Sequence, residues 1–85
     1  MISQVFVVHD SKTESYRNPF IMRSKGEAVR GFIDTINSKD ENELSKHAED
    51  FTLFEIGEYD DSKGEYTMYP AKRSLGLAIE FKNKL

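Results

Sequence analysis

Between Tyr16 and Arg30 the chain interleaves rings with cations: Tyr16, Arg17, Phe20, Arg23, Lys25 and Arg30. That pattern suits single-stranded nucleic acid, whose bases stack on flat rings while its phosphates pair with Arg or Lys. Arg23 and Lys25 bracket an expected helix start, where free amides and the positive end of the helix dipole favour phosphate. Lys72 and Arg73, with Lys82 and Lys84, extend the basic surface from the tail. Phe20 has a competing role as a core residue, and Glu27 offsets part of the positive field.

The other reactive combinations lead to no reaction. His9-Asp10 and His47-x-Glu49-Asp50 carry metal-ligand or acid–base groups. The first pair ends an expected strand, and the second sits in a charged loop. Asp60-Asp61 reads as turn chemistry rather than a paired acid site. Ser11, Ser15 and Ser24 lack an elbow or a base partner. The glycine motifs that cradle phosphates are absent, as is H-E-x-x-H. The sequence has no Cys, which excludes disulfides, thiolate zinc sites and cysteine nucleophiles. The expectation is a protein that is not an enzyme and needs no metal or cofactor.

The elements that must position these residues fit one domain, 1–85. With 85 residues, 38% of them hydrophobic, one modest core is expected. Ile2 to His9 reads as an interior strand, because Val5-Phe6-Val7-Val8 is nearly continuous in apolarity. Residues 10–18 read as a loop and Phe20-Ile21-Met22 as a short strand or an extended approach to the next helix. Ser24 and Glu27 form an S-x-x-E capping box, and Ala28, Val29, Phe32, Ile33 and Ile36 follow as one helical stripe. Gly31 inside this helix suggests close approach to a strand. Residues 38–50 read as a loop with one helical turn near Glu43 to His47. Phe51 to Tyr59 and Glu65 to Tyr69 read as a hairpin, with Gly64 in the left-handed turn position and Pro70 ending its second strand. The tail from Ser74 to Phe81 fits a last strand or a short helix capped by Ser74.

The expected fold class is therefore α+β: a small antiparallel sheet of three to four strands with one main helix packed on one face. If Asp60 faces Glu65, then Tyr59 faces Tyr66 and Gly57 faces Met68. Alternation then puts Leu53, Tyr59, Tyr66 and Met68 on one face, and Phe54, Ile56 and Tyr69 on the other. Both faces are partly apolar, and one helix covers only one. Either the tail covers the second face, or that face meets bases or another protein.

Net charge is −3, mildly unfavourable for a polyanion binder. Its distribution is uneven: −1 over residues 1–11, +3 over 12–33, −8 over 34–65 and +3 over 66–85. A face built from the two basic parts would hold anions despite the total. No run approaches the roughly 18 apolar residues of a membrane span. Met1-Ile2-Ser3-Gln4 lacks the start of a signal peptide. The expected setting is the cytoplasm of a cell, with no membrane partner.

Tyr16, Pro19-Phe20, Met22-Arg23-Ser24 and Gly26-Glu27-Ala28-Val29-Arg30 resemble the small non-structural protein of gokushovirus-type microviruses, which are single-stranded DNA phages. So do the stretch Glu49 to Asp60 and the closing Ser74-Leu75-Gly76-Leu77-Ala78. The likeness runs over nearly the whole chain, and residues 38–46 look like its variable part. It implies a DNA-binding role in viral replication or packaging inside a host cell, and supplies no catalytic residues. The negative net charge departs from the very basic DNA-condensing protein of such virions.

The function expected is an accessory protein that binds single-stranded DNA through Tyr16, Arg17, Phe20, Arg23, Lys25, Arg30, Lys72 and Arg73, as a homo-oligomer. The alternative is a protein-interaction module that docks on the viral replication initiator, host replication machinery or procapsid without touching DNA.

Overall fold

The computed structural model describes residues 1–82. Strand β1 (Ile2–Asp10) runs through the middle of an antiparallel sheet. Along one edge it meets two short pieces, β2 (Ser15–Tyr16) and β3 (Phe20–Met22). Along the other it meets β4 (Phe51–Asp60), which pairs in turn with β5 (Glu65–Leu77). The sheet thus has five strands where three to four were expected. The additional one is β2, inside the segment read as a loop. Its Ser and Tyr give no apolar pattern, and it forms because Tyr16 and Ser15 pair with His9 and Asp10.

Helix α1 (Lys25–Ile36) forms where the stripe placed it. Ser24 caps it by accepting from the Glu27 amide at 3.2 Å. The reciprocal half of the capping box is replaced: the Glu27 carboxylate pairs with Arg23 at 3.1 Å. Ala28, Phe32 and Ile36 turn onto Phe6, Val8, Phe51 and Leu53 of the sheet, making one core. Gly31 approaches nothing, since a methyl group there would meet no atom within 4 Å. The charged connection holds α2 (Glu43–Lys46) and a 3-10 turn, Ala48–Asp50.

The hairpin takes the expected register, Tyr59 opposite Tyr66 and Gly57 opposite Met68. Pro70 does not end β5. After Met68 the strand leaves the ladder for Tyr69 to Lys72, then rejoins it with Arg73 opposite Glu55. Proline is tolerated because β5 is an edge strand and Pro70 lies in this excursion. The tail is both things in turn, strand to Leu77 and then a short helix α3 (Ala78–Phe81). Phe81 packs edge-on against Phe32, and the Lys82 ammonium donates to the Ser45 carbonyl. Among the described residues, the tail therefore thickens the helix side and leaves the second face of the sheet uncovered.

The face assignment needs one correction. Opposite the Val5–Phe6 step, β4 carries an extra residue, Ile56. A one-residue bulge reverses which side the following residues face. Leu53 therefore lies in the core, while Tyr59, Tyr66 and Met68 lie on the open face with Phe54.

Candidate nucleic-acid interface

Because successive strand residues alternate between faces, the register sorts the sheet into two surfaces. Phe6, Val8, Phe20, Met22, Phe51 and Leu53 face the helix. Val5, Val7, His9, Tyr16, Ile21, Phe54, Tyr59, Tyr66 and Met68 face away from it. The strand carboxylates sort as well: Asp10, Glu55, Glu58, Asp60 and Glu65 all fall on the helix side. Among the described residues, no strand carboxylate falls on the open face.

That face carries rings at both ends. Tyr16 and His9 lie with ring centres 4.5 Å apart, and His9 meets Phe54 edge-on at 6.5 Å. At the far end Tyr59 and Tyr66 lie 4.8 Å apart. Between them is a groove of about 270 Å³ lined by Val5, Pro19, Ile21, Ile56, Tyr66 and Met68. Tyr16 and Tyr66 are half-exposed, at 50% and 59%. Lys72 leaves the far edge strand and brings its ammonium 5.4 Å from the centre of the Tyr16 ring. A cation thereby lies over the Tyr16 ring on a surface free of strand acids, an arrangement compatible with phosphate pairing and base stacking.

The residues expected to form the interface do not assemble as one patch. Tyr16 and Lys72 meet, and the others go elsewhere. Arg17 turns to the helix side, its guanidinium 5.7 Å from the Phe51 ring, beside a hollow that Asp10 and Glu43 also line. Phe20 is a core residue, stacked on Phe6 at 5.7 Å, and is removed from the stacking surface. Arg23 is paired with Glu27, whose carboxyl is held below its usual range chiefly by that hydrogen bond. Lys25 and Arg30 ride on α1, across the sheet from Tyr16. Arg73 lies on the helix side, 4.0 Å from the Tyr69 ring centre and 4.0 Å from Glu55. Lys82 is engaged with Ser45, and Lys84 lies outside the described residues.

The scatter has a plain cause. Spacing in sequence brings cations together only on one element, and residues 16–30 span two strand pieces, a turn and a helix. His9 is absent from the surface expected from sequence, while Phe54, Tyr59 and Tyr66 are expected on the sheet faces but not among the DNA-binding residues. The hairpin register already paired the two tyrosines, and the bulge at Ile56 hid their company with Phe54.

Phage membership is independent of this geometry. Residues 3–81 match the family model described as Phage ORF5 protein. The chain belongs to the phage ORF5 protein family. It matches no curated protein and no solved structure.

Two other features of this ORF5 protein bear on function. The ligand atoms of His47, Glu49 and Asp50 lie within 4.8 Å of one another, on and beside the exposed 3-10 turn. One short turn gathers such groups without any ligand, so their proximity alone does not define a site. Among the described residues, no helix is long and apolar enough to cross a membrane.

Proposed function

We propose that this phage protein is a non-enzymatic accessory protein that binds single-stranded DNA on the open face of its sheet, in replication or in the switch to genome packaging. The observation that carries the reading is the segregation of charge. In a chain of net charge −3, the strand acids lie on the helix side, and the ring-bearing face receives Lys72. Membership of a phage family and the resemblance to gokushovirus non-structural proteins support the same reading. Unpaired bases can stack on Tyr16, His9 and Tyr66, which a duplex with its bases inside cannot do.

A fluorescently labelled oligothymidylate titrated with the protein at 50 mM salt tests it. Anisotropy should rise with protein, and unlabelled duplex should compete poorly. No rise at protein concentrations well above micromolar removes the reading.

The groove between the ring pairs favours a second reading, a protein-docking face for a replication protein, the procapsid or another copy of this chain. The residues that line it are apolar apart from Tyr66. Molecular mass in solution with and without oligonucleotide separates the two: a dimer that DNA cannot enter supports docking.

A further inference from the structure

We propose that Glu55, Tyr69 and Arg73 form a latch that aims Lys72 across the open face, which makes them positioning residues for that cation. The consequence for DNA rests on the open-face reading; the latch itself does not. Glu55 is the buried charged residue of the sheet, only 6% exposed. A carboxylate removed from water must be partnered. Its partners come from the two ends of the β5 excursion. The Tyr69 hydroxyl donates to Glu55 Oε2 at 2.6 Å, and the Arg73 guanidinium lies 4.0 Å from the same carboxylate and 4.0 Å from the Tyr69 ring centre.

Both ends of the excursion are thus tied to one buried group on the helix side. Neighbouring residues of an extended chain point to opposite faces. With Arg73 held on the helix side, Lys72 is directed to the open face, where its ammonium reaches Tyr16 on the opposite edge of the sheet. Relaxing the excursion would leave Glu55 buried without its partners, so the position of Lys72 is set by a group it does not touch.

Tyr69→Phe tests this in the full chain, because it keeps the ring under Arg73 and removes only the donor. In the wild type the Lys72 Hε resonances should lie upfield, in the ring current of Tyr16, and Tyr16→Leu should identify that shift. In Tyr69→Phe they should move towards the position of a free lysine. Oligothymidylate affinity at 50 mM salt should fall by up to the roughly eightfold expected for losing one phosphate contact. On a Lys72→Ala background Tyr69→Phe should add less than about 1.5-fold, because the two act through one contact. Lys72 resonances unchanged in a folded Tyr69→Phe, or a loss that persists in full on Lys72→Ala, overturns the latch. If Tyr69→Phe does not fold, Glu55→Gln decides: it keeps an acceptor for Tyr69 but weakens the hold on Arg73, and Lys72 must shift part of the way. An unshifted Lys72 there overturns the latch as well. Should the wild type bind no DNA, the resonances still decide the latch, so the two failures are told apart.

Discussion

Removing Tyr16 and removing Lys72 should weaken DNA binding in distinguishable ways. For a single strand, each phosphate contact contributes about 0.7 to the slope of log affinity against log salt. Measured from a 1 M reference, one contact is then worth about eightfold at 50 mM and about threefold at 200 mM. Lys72→Ala should therefore cost about eightfold at 50 mM and about threefold at 200 mM, and flatten the slope by about 0.7. Tyr16 contributes stacking, which is worth about 1–3 kcal/mol per base. Its ring is only half-exposed and already touches His9 and Lys72. The lower end applies, about 1–1.5 kcal/mol, or about fivefold to tenfold. That loss should be nearly the same at both salts. The assay is anisotropy of a labelled oligothymidylate at four salt concentrations, with thermal melts confirming that both variants fold. A Lys72→Ala slope equal to that of the wild type would falsify the assignment of the contact. So would a Tyr16→Ala loss that vanishes at high salt.

Arg23→Ala should leave DNA affinity within about twofold, because Arg23 is paired on the helix side. The melt should shift only slightly, because the lost i,i+4 pair is exposed to water; a loss of affinity matching Lys72→Ala would return the interface to the helix start. The glycines should respond with opposite signs. A methyl at Gly57 would lie 2.6 Å from the Thr67 carbonyl, against backbone that cannot move aside, so Gly57→Ala should destabilise by about 1–3 kcal/mol. Gly31→Ala meets open space and should stabilise by about 0.5–1 kcal/mol, each read from the urea midpoint. The Tyr69 phenol, pushed up to about 12 chiefly by its hydrogen bond to Glu55, favours its protonated form in the folded state. Its contribution is fully present below the ordinary tyrosine value of about 10 and is lost as pH rises towards 12. Absorbance of tyrosinate should show a late step that Tyr69→Phe removes.

The parts of the fold written locally were legible. The helix announces itself by a cap and a stripe, and the hairpin by Asp60 to Gly64. Tyr59 opposite Tyr66 followed from the turn alone. What local pattern does not carry is the partner strand. β2 exists through its pairing with β1. The excursion at Tyr69 to Lys72 brings Tyr69 and Arg73 to Glu55 on the neighbouring strand, whereas Pro70 read by itself suggests a strand end. The residues expected to form the interface scatter for the same reason. Arg17 and Tyr16 are adjacent in sequence and opposite in space, while Tyr16 and Lys72, from opposite edges of the sheet, are in contact. The bulge at Ile56 had the largest effect, since one extra residue put Tyr59, Tyr66 and Met68 on the face opposite Leu53, with which simple alternation groups them.

A net negative protein that holds DNA must keep its acids out of range, and the layer structure says when it can. Strand carboxylates on the helix side and a phosphate on the open face are separated by roughly 10 Å, about the depth of one layer. At 0.15 M salt the screening length is about 8 Å, so their repulsion falls to roughly a third of its unscreened value. At 0.01 M the screening length is about 30 Å, and roughly 70% of the repulsion survives. Contacts to Lys72 strengthen as salt is lowered, while the repulsion from Glu58, Glu65 and their neighbours strengthens with them. The logarithm of affinity should therefore rise linearly as salt is lowered to about 50 mM and then flatten. Neutralising Glu58 and Glu65 with glutamine should restore the straight line at low salt and change little at 0.15 M. A line already straight to 0.01 M in the unaltered protein would mean that DNA approaches from a side the strand acids do not reach, and the open sheet face would not be where it binds.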